Sequence, residues 1–261
     1  MKVVKAGRLV YGVCYSQPMA HDTPKERAAK TKCSTAARQR LNFRAAWQKL
    51  ELEIAANFGR EDWFITLTYD DENIPLQRDF ALCRLSAFIR KVRAQRKQQG
   101  EDLKYIHTTE ELPDEPGGEK RLHHHMIINA GTNDKELFES LWTYGLVHIT
   151  PLLTASNDSY EARARYMVKE RQPGAYGRKT GLRSWTPSRN LEKPKTTSEL
   201  VPANVAITAP PGAYILDRHE ETNYFGTYSY IKYLLPEPPK ARRKAQKSRE
   251  KARHKDAYIK S

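Results

Sequence analysis

The sequence predicts an α+β fold, a central and mainly antiparallel sheet with helices packed on it. Three observations carry that prediction. The apolar pattern changes period along the chain in the order strand, helix, strand, strand, helix, strand, helix. Two of those strands are separated only by a loop around "PDEPGGE" (113–119), and so short a connection favours antiparallel pairing over a crossover. With 261 residues the chain can bury a real core, as one large domain with appendages more readily than as two equal domains.

The elements follow in order. After a strand-like N-terminus, Thr23-Pro24-Lys25-Glu26 combines an N-cap Thr, a Pro at the first helical position and a Glu at the third, and a basic helical region runs from there toward Phe58. In "DWFITLTYDD" (62–71), Trp63, Ile65, Leu67 and Tyr69 alternate with Phe64, Thr66 and Thr68, a strand with one greasy face and one carrying two hydroxyls. From Arg78 to Gln99, Phe80, Leu82, Leu85, Phe88, Ile89 and Val92 recur at helical spacing and Gly100 follows, an amphipathic helix. "LKYIHTTEE" (103–111) and "RLHHHMIIN" (121–129) read as the two strands of a hairpin. A helix from Asp134 to Tyr144, a strand at "GLVHIT" (145–150) and a helix from Ser159 to Arg171 complete the pattern. Further on, "GAYILDRHEE" and "GTYSYIKYLL" are strand-like pieces with no place evident from sequence. Residues 1–60 thus read as an N-terminal strand and basic helical region, 61–235 as the main domain with a C-terminal extension, and 236–261 as a basic tail expected to be disordered or a solvated helix.

Forty-five Lys and Arg against thirty-one Asp and Glu give a net charge of +14. Such an excess steers a protein toward polyanions and holds phosphates on arrival, so nucleic acid is the expected partner. Cys14, Cys33 and Cys83 are widely spaced and form no CxxC pair, which indicates neither a disulfide framework nor a zinc finger. No apolar run approaches the length of a bilayer span, and Lys5 and Arg8 interrupt any signal-peptide core, so a soluble protein of the cytoplasm, with no membrane partner, is expected.

The centre of the chain carries three adjacent histidines. On a strand, successive side chains point to opposite faces. Leu122, His124, Met126 and Ile128 therefore share one face, expected to meet the core with His124 as its single polar member, while His123 and His125 stand on the opposite face about 7 Å apart at Cα. Two imidazoles at that separation can bind one metal ion. A third ligand is wanted from the neighbouring strand, whose end offers Glu110 and Glu111, and parity within that strand does not choose between them. His124 is assigned to packing, and its replacement by an apolar residue is expected to leave the metal-dependent chemistry of His123 and His125 largely intact.

For a nucleic-acid partner, a His-His-Glu site holding a divalent ion suits phosphodiester cleavage. The helix "SYEARARYMVKERQ" places Tyr166 and Lys169 at i,i+3 on one face, a phenol with a cation that would favour its phenolate or hold a phosphate. Arg121 beside the histidines, and Arg163 and Arg165 on this helix, are candidates for DNA contacts.

Three motifs in order, "FITLTYDD", "RLHHHMII" with the His-hydrophobe-His pattern (His124 in the middle place), and "YMVK" as Tyr-x-x-Lys, resemble those of the HUH endonucleases. Within them the chain is similar to the rolling-circle replication initiators (Rep proteins) of bacterial plasmids and small single-stranded DNA phages. The resemblance covers about Trp63 to Arg171, and "SWTPSRNLEKPK" is similar to a segment that follows the catalytic helix in phage-type members. It implies an HUH endonuclease-like fold with a ferredoxin/RRM-like core, His123, His125 and Glu110 as metal ligands with Glu111 as the second choice, Tyr166 as nucleophile and Lys169 as its helper. Thr66 and Thr68 would lie beside the site, touching DNA or holding its shape. Some phage initiators carry two tyrosines at i,i+4; here the position four before Tyr166 is Ala162, and Tyr160 lies about 120° off its face.

The implied activity is a nickase that starts rolling-circle replication. A metal-dependent single-strand DNA endonuclease would nick and rejoin at a replication origin, as an open strand or a hairpin, through a 5′-phosphotyrosine, with a host helicase and polymerase as partners and Mn²⁺ or Mg²⁺ as cofactor. A related transposase or relaxase shares this chemistry. A non-catalytic DNA-binding protein and a hydrolase with catalytic zinc are the rivals of other classes.

Overall fold

The computed structural model describes residues 1–15, 36–111, 121–152, 159–169, 184–202, 205–223 and 226–237. Within them the α+β class holds, as two five-stranded antiparallel sheets and four helices. The helix start at Thr23, the hairpin loop at 113–119, Cys33 and nearly all of the basic tail lie outside the described residues.

The central sheet contains β3 (Trp63–Leu67), β4 (Tyr105–Glu110), β5 (His123–Ile128), β6 (Val147–Pro151) and β7 (Thr186–Pro187), in the order β6-β3-β5-β4-β7. The expected hairpin is present: β4 and β5 pair antiparallel from Tyr105↔Ile128 to Glu110↔His123. The second sheet contains β1 (Lys2–Ala6), β2 (Leu9–Tyr15), β8 (Lys195–Ser198), β9 (Tyr214–Asn223) and β10 (Gly226–Leu234), in the order β8-β1-β2-β10-β9. The two late strand-like pieces thus find their place beside the N-terminal hairpin. That hairpin turns at Gly7, whose φ of 55° suits glycine and whose hydrogen stands where a Cβ would come within 2.4 Å of the Ala55 carbonyl oxygen.

Four helices complete the fold: α1 (Ala36–Asn57), α2 (Arg78–Gln98), α3 (Asp134–Leu141) and α4 (Glu161–Met167). On one face of the central sheet Ile65, Leu67, Met126 and Ile128 pack against Leu85, Phe88, Ile89 and Val92 of α2 and Phe138 of α3. Phe80, expected in the apolar stripe of α2, is instead 58% exposed, because the buried row runs through Ala81, Leu85 and Phe88. On the other face Phe64, Ile106 and Ile127 pack against Trp47, Leu50 and Ile54 of α1 and Ala164, Met167 and Val168 at α4. The expectation of one core-facing side for the histidine strand is therefore corrected: both faces of β5 are buried, since helices cover both sides of the sheet.

Helix α1 lies between the two sheets. Leu50 and Ile54 join the central sheet, while Leu52 and Ala55 reach Leu9, Tyr11, Tyr230 and Leu234 of the second. Its apolar residues therefore fall on two sides, and no single stripe marks it in the sequence. A buried ion pair locks the far end of the sheet: Arg96 donates to Asp134 at 2.6 Å and to the Asn129 carbonyl at 2.7 Å, and Trp63 Nε1 donates to the same carboxylate at 2.8 Å.

Candidate active site

Strand alternation sends His123 and His125 to the α1/α4 side of the central sheet and His124 to the α2/α3 side. The hairpin register then separates the two acidic residues. Glu110 pairs with His123 across the hairpin and is 3% exposed, whereas Glu111, one residue on, is exposed and lies 4.0 Å from Arg78. Glu110 Oε2 stands 3.3 Å from His123 Nε2 and 3.1 Å from His125 Nε2. One ligand atom from each of the three lies within 4.8 Å of the others, so this buried group could hold a metal ion.

The second ring nitrogens are also held. His123 Nδ1 lies 3.1 Å from the Arg121 carbonyl, and His125 Nδ1 lies 3.1 Å from Thr66 Oγ1. A carbonyl only accepts, so Nδ1 of His123 carries a proton, and Nε2 faces the carboxylate. Burial favours the ionisation state that a metal needs at His125, holding its basicity below the ordinary value and the ring neutral. Burial also works to raise the Glu110 carboxyl, but the contacts with His123, His125 and Lys169 outweigh it and hold the group well below the usual carboxylate range. Two imidazole nitrogens and one carboxylate oxygen, oriented by outer hydrogen bonds, are a donor set that fits a divalent ion.

Helix α4 brings Tyr166 over this group. Ala164, Met167 and Val168 anchor the helix in the core, and Tyr160 donates to the Phe58 carbonyl at 2.8 Å. Tyr166 is left 41% exposed, with its ring 4.7 Å from the His125 ring and 6.1 Å from that of Phe64. The Lys169 ammonium sits 2.8 Å from Glu110 Oε1 and 4.3 Å from the Tyr166 ring centre. Burial pulls its pKa down, but the Glu110 carboxylate and the Tyr166 hydroxyl raise it above the ordinary lysine value, so the group is a fixed cation.

Glu110, His123, His125, Thr66, Tyr166 and Lys169 thus converge. The other expected contacts lie around them. Thr68 falls one residue past β3, where its hydroxyl donates to the Leu146 carbonyl at 3.3 Å. Arg121 is exposed and paired with Asp71 at 2.6 Å. Both line an open cavity of about 600 Å³, together with Asp70, His123, Gly145 and Leu146. Arg163 stacks over Phe64 at 4.5 Å, while Arg165 stacks over Trp47 of α1 at 4.4 Å and pairs with Glu161.

His124 is more than a packing residue. Its Nε2 meets the Tyr69 hydroxyl at 2.8 Å and its Nδ1 meets Thr109 Oγ1 at 2.8 Å. Burial drives its pKa well below the ordinary value, so it is a neutral bridge between two buried hydroxyls. These two partners lie outside the sequence reading, which gives His124 only a packing role. The hairpin register sets Thr109 opposite His124, a pairing that strand parity alone does not reveal.

Residues 62–171 match a family model of replication-associated proteins, of the ORF2 and gene-2-protein type. The match takes in under half of the chain, yet it contains all six converging residues and leaves out every strand of the second sheet. No curated protein and no solved structure gave a match. Among the described residues no helix is long and apolar enough to cross a membrane.

Proposed function

We propose that this chain is a rolling-circle replication initiator, a metal-dependent endonuclease that nicks and rejoins single-stranded DNA through a 5′-phosphotyrosine on Tyr166. One observation carries the reading: a phenol ring 4.7 Å from the ring of a buried histidine in a His-His-Glu group, all inside the stretch that matches a replication-associated family.

In this reading His123, His125 and Glu110 hold the ion. When bound, a divalent ion such as Mn²⁺ or Mg²⁺ supplies Lewis-acid polarisation of a non-bridging phosphate oxygen. The Tyr166 oxygen attacks the scissile phosphorus, the bond from phosphorus to the 3′ oxygen breaks, and the phenol proton passes to solvent while the leaving 3′ oxygen takes one up. Lys169, already cationic against Glu110, is suited to stabilising the phenolate and not to acting as a base. Thr66 fixes the His125 ring. The 3′-OH can prime a polymerase, and the phosphotyrosine retains the bond energy for rejoining. Arg121, exposed beside the histidine strand, and Arg163, on the helix of Tyr166, would contact the strand, and the net charge of +14 suits a polyanion.

A randomised pool of single-stranded oligonucleotides with Mn²⁺ tests this. A denaturant-resistant protein–DNA adduct should form with the natural chain and disappear in Tyr166→Phe, with single-strand binding retained. Hydrolysed product without an adduct would point to a hydrolase instead. An adduct persisting in Tyr166→Phe would exclude Tyr166 as the nucleophile.

A further inference from the structure

Lys232 of β10 is 1% exposed, and its ammonium is 2.9 Å from Glu51 of α1 and 2.6 Å from Glu161, the first residue of α4. Tyr11 of β2 hydrogen-bonds the same Glu51, and the rings of Tyr11 and Trp47 lie 5.4 and 5.6 Å from the ammonium. Two carboxylates and two ring faces stand where water would solvate an exposed ammonium. The node joins the second sheet, which lies outside the family match, to the start of the helix that carries Tyr166.

From these contacts we propose that Lys232 is a positioning residue for Tyr166: through Glu161 it sets where α4 begins, and so where the tyrosine stands over the histidines. For the role of Tyr166 the inference rests on the function proposed above. The geometry supports a lever of this kind. Glu161 binds Lys232 on one side and Arg165, one turn on, at 2.7 Å on the other, and Arg165 rests on Trp47, a ring the node also touches. Tyr166 follows Arg165 directly. The helix has only seven residues, so its first turn and its reactive residue cannot be placed independently. The second sheet would then be part of the strand-transfer machinery and not merely an appendage.

The test uses full-length protein labelled with 3-fluorotyrosine, with the Tyr166 resonance assigned by its loss in Tyr166→Phe. Lys232→Met alone leaves Glu51 buried without its cationic partner, so the informative variant is Lys232→Met/Glu51→Gln, which removes one group of each sign and leaves the balance of the node unchanged. The expected result is a shifted or broadened Tyr166 resonance, unchanged Mn²⁺ affinity, and an adduct rate reduced about tenfold or more, as for a reacting group displaced by a fraction of an ångström to an ångström. Glu161→Ala should reproduce the defect, while Glu161→Gln, which still accepts a hydrogen bond from Lys232, should largely spare it. A Tyr166 resonance and adduct rate unchanged in folded Lys232→Met/Glu51→Gln and in Glu161→Ala would overturn the proposal. If the natural chain forms no adduct yet the resonance moves in both variants, the positioning stands and the strand-transfer reading fails.

Discussion

Replacing His124 with Leu separates the role of the middle histidine from that of its neighbours. The side chain is fully buried and bridges Tyr69 and Thr109. A buried hydroxyl that loses its partner costs about 1–3 kcal/mol. Tyr69 has a second, longer contact with the Ala81 carbonyl at 3.5 Å, which places it at the low end of that range; Thr109 takes the fuller cost. The sum is a loss of about 2–4 kcal/mol, a large part of the roughly 5–15 kcal/mol of net stability that a typical protein has. Urea unfolding should show a lower midpoint with an unchanged slope. Two controls sharpen the test. Tyr69→Phe/Thr109→Val/His124→Leu, which removes all three polar groups together, should recover most of the loss, and Mn²⁺ affinity should persist in His124→Leu because the candidate ligands occupy the opposite face. A His124→Leu stability within about 0.5 kcal/mol of the natural chain, the usual range of a neutral surface change, would refute the bridging role.

Glu110→Gln should weaken Mn²⁺ binding by tenfold or more, of the order lost when a ligand or its support is removed, whereas Glu111→Gln should leave the calorimetric affinity unchanged. Lys169→Met should slow adduct formation more than it weakens DNA binding, because its ammonium stands against Tyr166 and Glu110, and equal losses in both would assign it to phosphate binding instead. Burial lowers the pKa of His107 to about 4 from 6.5, so the unfolded chain binds the proton first. Its contribution to stability is fully present above about pH 6.5 and is lost as pH falls toward 4; urea midpoints should decline across that window, and less steeply in His107→Gln.

Much of the central sheet was legible in the sequence because its elements are governed by local rules. The alternation in "FITLTYDD", the helical spacing after Arg78 and the Gly/Pro-rich loop between two strands each act over a few residues and survive in β3, α2 and the β4–β5 hairpin. The convergence of His123 and His125 followed from parity alone. What parity could not supply was register: the choice of Glu110 over Glu111, and Thr109 opposite His124, depend on which residues face each other across the hairpin. The second sheet was least legible, since β2 meets β10 only through pairs such as Leu9↔Leu234, and no local pattern encodes a partner so distant. No local pattern marks Glu51 and Lys232 as partners either, for the same reason.

That pairing of Leu9 with Leu234 also dictates an order of assembly. A ribosome releases the β1–β2 hairpin first, but its neighbour β10 is made only after some two hundred further residues have emerged. Until then the hairpin presents an unpaired edge, and one side of α1 lacks its cover. The central sheet, whose strands lie closer together in the chain, can form meanwhile, and closing the long loop makes the second sheet the late and slow step. Because Lys232 arrives with β10, the tyrosine helix would gain this anchor only after β10 has been made.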